Sequence, residues 1–274
     1  MPELPEVEMV RSVLEPQLIG QTIDTVHVLC SDVLANCEAE VFCRQLAGET
    51  ILAVTRRGKF LTIRMQSGRR LVLHFRMTGI LLLTPADFVP LPHTHLTAVL
   101  ASGQMLQFSD QRRFGRFWSF AAGEADAVSG VESLGPEPFD TAVTAEFLAT
   151  AFAGRRKSVK ECLMDQHLIA GIGNIYSDEL LFRAQIRPDR AAHTICMEEC
   201  SRLAALIAPT MRFFVEKNAI SAEDYLAGQG KDYRNSPYLD VYGRGGANCR
   251  RCGAVLIKKM IGGRGSVYCE HCQQ

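Results

Sequence analysis

Four cysteines near the C-terminal end constrain the fold more than any other feature. They stand as Cys249-Arg-Arg-Cys252 and Cys269-Glu-His-Cys272, two Cys-x-x-Cys pairs separated by sixteen residues. Each pair can present two thiolates to one tetrahedral ion, and the spacer suits a hairpin joining them. AVLIKKMI and SVYC read as its strands, with GGRG as the turn. Four protein ligands leave no open coordination position, so the expected cofactor is one structural Zn2+. The other six cysteines, Cys30, Cys37, Cys43, Cys162, Cys196 and Cys200, are scattered, which fits a reducing compartment better than a disulfide scaffold. Cys162, Cys196 and Cys200 fall in helical patterns and read as small buried hydrophobes.

The charge on this hairpin matters because the chain as a whole has none to spare. Lysines and arginines number 30, and so do aspartates and glutamates. A polyanionic partner must therefore be argued from local patches. From Tyr242 through Tyr268 there is no acidic residue, while Arg244, Arg250, Arg251, Lys258, Lys259 and Arg264 are basic. A solvated face would normally interleave acids, so the patch points to a phosphate backbone. No basic start leads into an apolar stretch, and no apolar run approaches the roughly 18 residues of a membrane helix. The protein is expected to be soluble and intracellular, with no membrane partner.

Upstream, LPEVEMVRSVLEP puts Val7, Val10, Val13 and Leu14 on one helical face, with Pro5 in the first turn and Pro16 helping to end it. The stretches TIDTVHVL, ETILAVTRRGKFLTIRM, RLVLHFRMTGILLL, HLTAVLAS and QMLQFSD are short and rich in branched residues, as in an antiparallel sandwich or barrel. A stretch dense in Gly, Pro and acid follows, and from about residue 144 the period becomes helical. The expected class is α+β: residues 1–122 as a β-sandwich with an N-terminal helix, 123–143 as linker, 144–238 as a helical domain, and 239–274 as the zinc hairpin. Within the helical part, Gly171 and Gly173 precede a helix carrying Asn174, an arrangement that can offer backbone N–H groups to an anion.

The opening MPELPEVEMV raises a separate question, since termini usually fray and carry nothing. Removing Met1 would expose the secondary amine of Pro2, whose pKa lies closer to neutrality than a lysine's. More of it is neutral at physiological pH, and a neutral amine is a nucleophile.

PELPEVE, RRGKFL, HFRMTG, FSDQRRFG, LGPEPF, DQHLIAGIGNIYSDELLF, VYGRGG and the terminal cysteines occur in that order along nearly the whole chain. In these eight motifs the chain resembles the bacterial formamidopyrimidine-DNA glycosylases, the helix–two-turns–helix enzymes of base-excision repair. PELPE, rather than PEGPE, points to this branch. The resemblance implies a helix–two-turns–helix fold for the helical domain, with double-stranded DNA bearing damaged bases or abasic sites held between the domains. It implies glycosylase activity on oxidised or ring-opened purines, coupled to β,δ-elimination at the resulting abasic site. It assigns the Schiff-base nucleophile to Pro2, the general acid to Glu3, proton relay or water positioning to Glu6, lesion or phosphate contact with proton donation during β-elimination to Lys59, and phosphate binding with δ-elimination to Arg264.

A base inside a duplex must be extruded before chemistry, and the vacated space needs a filler. Met77, Arg112 and Phe114 match the family's three void-filling residues: an apolar wedge, a donor fork and an aromatic ring. His93, Arg155, Lys160, Asn174 and Lys258 match its DNA contacts. A single cleft holding one duplex requires no oligomer, so a monomer in the bacterial cytosol is expected. The chain departs from the pattern after its last long helix: KNAISAEDY lacks the usual paired glycine, and KDYRNSPY replaces a Gly-x-Phe-Gln region. That departure leaves two other readings open, an altered lesion choice or a non-catalytic binder of damaged DNA.

Overall fold

In a computed structural model, the structure describes residues 2–231 and 233–274. Met1, whose removal the sequence reading requires, lies outside the described residues. The chain divides into two compact units, residues 1–132 with 219–233, and residues 133–218 with 234–274.

The first unit begins with helix α1 (Leu4–Leu18). Its predicted apolar face is buried: Val7, Val10, Val13 and Leu14 are each at most 5% exposed. Pro16 does not end α1 but lies inside its last turn. The proline removes one backbone N–H, and burial of Leu14 and Leu18 on the same face offsets that loss.

Eight antiparallel strands follow. Strands β1 (Ile23–Val28), β6 (Thr94–Leu100), β7 (Met105–Asp110) and β5 (Gly79–Thr84) form one sheet, in that spatial order. Strands β2 (Ile51–Arg57), β3 (Phe60–Met65), β4 (Arg70–His74) and β8 (Arg116–Phe120) form the other. Leu61, Ile63 and Leu73 of the second sheet share one core with Leu81, Leu96 and Phe108 of the first. Phe108 and Phe117 meet edge to face at 4.9 Å across it. The run RLVLHFRMTGILLL, continuous in sequence, is split by Phe75–Thr78 into β4 and β5 of different sheets. A short helix α2 (Ala39–Leu46), hidden in sequence by its charges, buries Phe42 and Leu46.

The second unit holds α3 (Ala145–Phe152), α4 (Val159–Leu163), α5 (Asn174–Ala184) and α6 (Met197–Lys217). Ser158 and Glu161 form a capping box at the start of α4. Tyr176 of α5 packs on Phe214 of α6 at 4.9 Å. Strands β9 (Ile257–Ile261) and β10 (Arg264–Tyr268) make the expected hairpin, turning at Gly262 and Gly263. Cys162 and Cys200 are buried as anticipated, but Cys196 is exposed because it occupies the N-cap of α6 rather than its apolar face.

Residues 219–233, expected within the 144–238 helical domain, belong instead to the first unit. Their helix α7 (Ala222–Ala227) sends Tyr225 into the sandwich core, where it is 2% exposed and donates to the Leu81 carbonyl at 3.0 Å. Among the described residues, no helix is long and apolar enough to cross a membrane.

Candidate active site and nucleic-acid interface

Glu3 and Glu6 are brought together by the start of α1. Glu3 is its N-cap, and the Glu6 carboxylate accepts the Glu3 N–H at 2.8 Å. Both side chains are 1% exposed. This local bond holds the backbone immediately beyond Pro2. Glu8, on the other side of the helix, pairs with Arg11 and with Arg56, each at 2.7 Å.

Pro2 is buried and lines a cavity of about 340 Å³ in the first unit, together with Met77, Ile80, His93, Lys231 and Tyr233. The cavity gathers residues from the chain start, the β4–β5 crossover, the loop before β6, and the 229–233 segment. Met77 is half-buried at this rim. Arg112 and Phe114 are exposed in the β7–β8 turn, with the guanidinium 4.6 Å from the ring centroid. Asp110, 1% exposed, ties the two loops. One of its oxygens accepts from Arg112 N at 3.1 Å and from the Thr78 hydroxyl, and the other accepts from Gly115 N at 2.7 Å. Arg112 N also donates to Thr78 Oγ1 at 3.3 Å. Gly115 has no substitute here, since a Cβ would lie 2.4 Å from the Phe108 ring. The three predicted void fillers therefore come from two loops that one buried carboxylate holds in register.

Lys59 sits in the tight β2–β3 connection and is 7% exposed. Its neighbour His74 was not singled out by sequence. That ring packs edge to face on Phe60 at 4.6 Å, and its Nδ1 accepts from Arg76 N at 2.9 Å. Burial first, then the Arg76 and Lys59 cations, depress its pKa to about 3. Below pH 6.5 the unfolded chain takes up a proton at this ring, and the folded chain takes none until about pH 3. Stability from the neutral ring is thus present above the unfolded pKa and falls on acidification, by up to about 1.4 kcal/mol per pH unit. Wild-type protein should lose roughly 2 kcal/mol more than His74→Gln between pH 7.5 and pH 5 in urea unfolding. Equal losses in the two proteins would contradict this.

In the second unit, Asn174 opens α5 and donates through Nδ2 to the Gly265 carbonyl at 3.1 Å. Its Oδ1 is buried without a hydrogen-bond partner. With Lys258, Tyr242 and Gly245 it lines a surface cavity of about 380 Å³. A neighbouring cavity of about 390 Å³ is lined by Arg155, Lys157 and Arg264. Arg155 pairs with Asp165 at 3.2 Å, both partly exposed, so the pair is weak and the guanidinium remains accessible.

Lys160 departs from the expectation of a direct DNA contact. It is 0% exposed, paired to Asp178 at 2.7 Å. Asp178 also accepts from Ser266 Oγ at 2.5 Å and Val267 N at 2.9 Å. The lysine is buried because α4, α5 and β10 converge on it, and the same carboxylate anchors the hairpin to α5. It supports the surface from beneath. Glu179, next along α5, accepts from the backbone N–H groups of Asp240, Val241 and Tyr242 at 2.8 to 2.9 Å. These three bonds fix the approach to the hairpin.

The four Sγ atoms of Cys249, Cys252, Cys269 and Cys272 lie within 4.8 Å of one another. Sulfurs at the corners of a zinc tetrahedron stand about 3.8 Å apart. The pairs Cys249–Cys272 and Cys252–Cys269, at 3.9 and 3.5 Å, bracket that value. The donor set and its spacing fit one structural zinc.

Comparison with known proteins agrees with this geometry. Residues 1–117 match the formamidopyrimidine-DNA glycosylase N-terminal domain, 134–225 the formamidopyrimidine-DNA glycosylase H2TH domain, and 248–274 a zinc finger found in FPG and IleRS. The chain is 40% identical over 274 residues to formamidopyrimidine-DNA glycosylase of Pelotomaculum thermopropionicum, covering 100% of this chain and 99% of the relative. It is 44% identical over 256 residues to that of Moorella thermoacetica, covering 93% of each. Among solved structures, the Lactococcus lactis Fpg bound to DNA containing an oxidised pyrimidine superposes with a TM-score of 0.91 at 32% identity, covering 100% of both chains. The same protein bound to FAPY-dG-containing DNA gives 0.87 at 30%, covering 99% of this chain and 100% of the other. On sequence and structure alike, the chain belongs to the formamidopyrimidine-DNA glycosylase family.

Proposed function

We propose that this protein is a bifunctional DNA glycosylase and abasic-site lyase of base-excision repair, acting on oxidised or ring-opened purines through the amine of Pro2. The observation that carries the reading is the position of Pro2: it lines a cavity, and the buried Glu3 and Glu6 follow it directly at the start of α1. Once Met1 is removed, the Pro2 nitrogen attacks C1′ of the damaged nucleotide. The glycosidic bond breaks and its electron pair leaves with the base. As the base departs, Glu3 protonates the ring oxygen, which opens the sugar and leaves an iminium. Glu6, bonded to the Glu3 N–H, holds that carboxylate's backbone and relays protons. Loss of a C2′ proton then expels the 3′ phosphate, and a second elimination, with Arg264 on the phosphate, expels the 5′ phosphate.

Met77, Arg112 and Phe114 occupy the space that the extruded nucleotide leaves. Asn174, Lys258, Arg155 and Arg264 hold phosphates, and His93 and Lys59 contact the backbone beside the lesion. The zinc, when bound, cross-links the hairpin and leaves the chemistry to the protein's own side chains. One chain carries every group named here, so the active form is a monomer, working in the bacterial cytosol on double-stranded DNA.

The test is a panel of duplexes carrying different lesions, incubated with protein and borohydride. Covalent adducts with oxidised or ring-opened purine duplexes, and with abasic duplex, are expected. Tight binding without any adduct would mark a non-catalytic binder instead.

A further inference from the structure

The 219–233 segment is where this chain leaves its family's pattern, and it forms one wall of the Pro2 cavity. That wall is built and held. Tyr225 is buried in the sandwich core with its hydroxyl on Leu81 O. Burial raises its pKa well above the ordinary tyrosine value, so this hydroxyl stays a neutral donor. Gly230, at φ +72°, accepts no side chain: a Cβ would stand 2.4 Å from Ile80 Cγ2. Gly230 N bonds Tyr225 O at 2.9 Å, and Lys231 N bonds Gly228 O at 3.0 Å. The close approach and the buried phenol together fix Gln229, Lys231 and Tyr233 along the cavity.

What reaches this cavity follows from bond lengths alone. A nucleophile at Pro2 must reach C1′, and the base is attached to C1′. A nucleotide whose C1′ meets Pro2 therefore carries its base within one bond of this cavity, within reach of the lining side chains. Two aromatic side chains line the cavity, His93 and Tyr233, and of these Tyr233 is the one half-buried against the sandwich core. Burial first, then the Glu6 carboxylate, raise the pKa of its hydroxyl, which stays protonated.

We propose that Tyr233 is a specificity-determining residue of this enzyme, supplying the aromatic face on which the extruded damaged base packs. This rests on the reading of Pro2 as nucleophile. Every base has a π-face, so the contact discriminates a base-bearing nucleotide from a bare abasic sugar more than one base from another. Gln229 and Lys231, fixed on the same wall, offer donors to the carbonyl oxygens that oxidation or ring opening adds.

Single-turnover base excision on an 8-oxoguanine duplex and β-elimination on a preformed abasic duplex test this together. Tyr233→Leu should lower base excision by roughly 10- to 100-fold and β-elimination far less. Tyr233→Phe should restore most of the lost excision, because the ring and not the hydroxyl carries the contact. Equal losses on both substrates, unchanged excision in the leucine variant, or a phenylalanine variant as poor as leucine would each overturn the proposal. Failure of the wild-type protein to form a borohydride adduct with the abasic duplex would overturn the underlying reading of Pro2, and this inference with it.

Discussion

Glu3→Gln should lower excision of a damaged base by about 10²- to 10⁴-fold, the range supplied by one positioned general acid. The substitution keeps the size of a side chain that is 1% exposed, and glutamine can still cap α1. Folding should survive, and the thermal midpoint should change little. The loss should be uneven across substrates. Departure of an intact base requires a proton on the ring oxygen as the sugar opens. A preformed abasic sugar already opens to its aldehyde, so its capture by Pro2 depends less on Glu3. Borohydride adducts with abasic DNA should therefore persist in the variant while base excision collapses. Excision at the wild-type rate would show that the proton comes from another group.

The second large effect concerns the zinc hairpin. Replacing Cys252 by Ala removes one of four sulfurs that close the site. Structural zinc sites of this kind contribute about 10 to 16 kcal/mol to the folding of isolated fingers. Here the ion backs a small cluster of Phe182, Val241, Leu256 and Val267, too few residues to hold a hairpin alone. Lys258 and Arg264 should lose their fixed positions, while the sandwich keeps its own core. Zinc content should fall from one per chain to near zero. The slope of log affinity against log salt for duplex DNA should become shallower by about 1.8, the value for two phosphate contacts on B-form DNA. An unchanged slope in zinc-free protein would show that these two side chains do not touch the backbone.

Much of this was legible in the sequence because the signals are local. The paired cysteines, the Val7–Leu14 helical face and the short branched strands each depend on periods that a single segment displays. The grouping of Met77, Arg112 and Phe114 was legible only through family motifs, because it depends on Asp110 joining two loops distant in sequence. Lys160 misled for the opposite reason. A lysine beside Arg155, Arg156 and Lys157 reads as surface, and its burial depends on Asp178 in another helix. Cys196 followed the helical period yet fell one position before the helix began. The 219–233 segment fell inside the 144–238 domain only by its place in the chain, and the placing of Tyr225 in the sandwich core is a non-local fact.

The central claim is that one nitrogen at the processed chain start bonds to the sugar. Trapping the enzyme on an 8-oxoguanine duplex with borohydride, digesting it and mapping the cross-linked peptide by mass spectrometry tests that directly. The account predicts a deoxyribose remnant on the amine of Pro2, with Met1 absent from every active molecule. A remnant on Lys59 or another lysine, or full activity in protein that retains Met1, would contradict it.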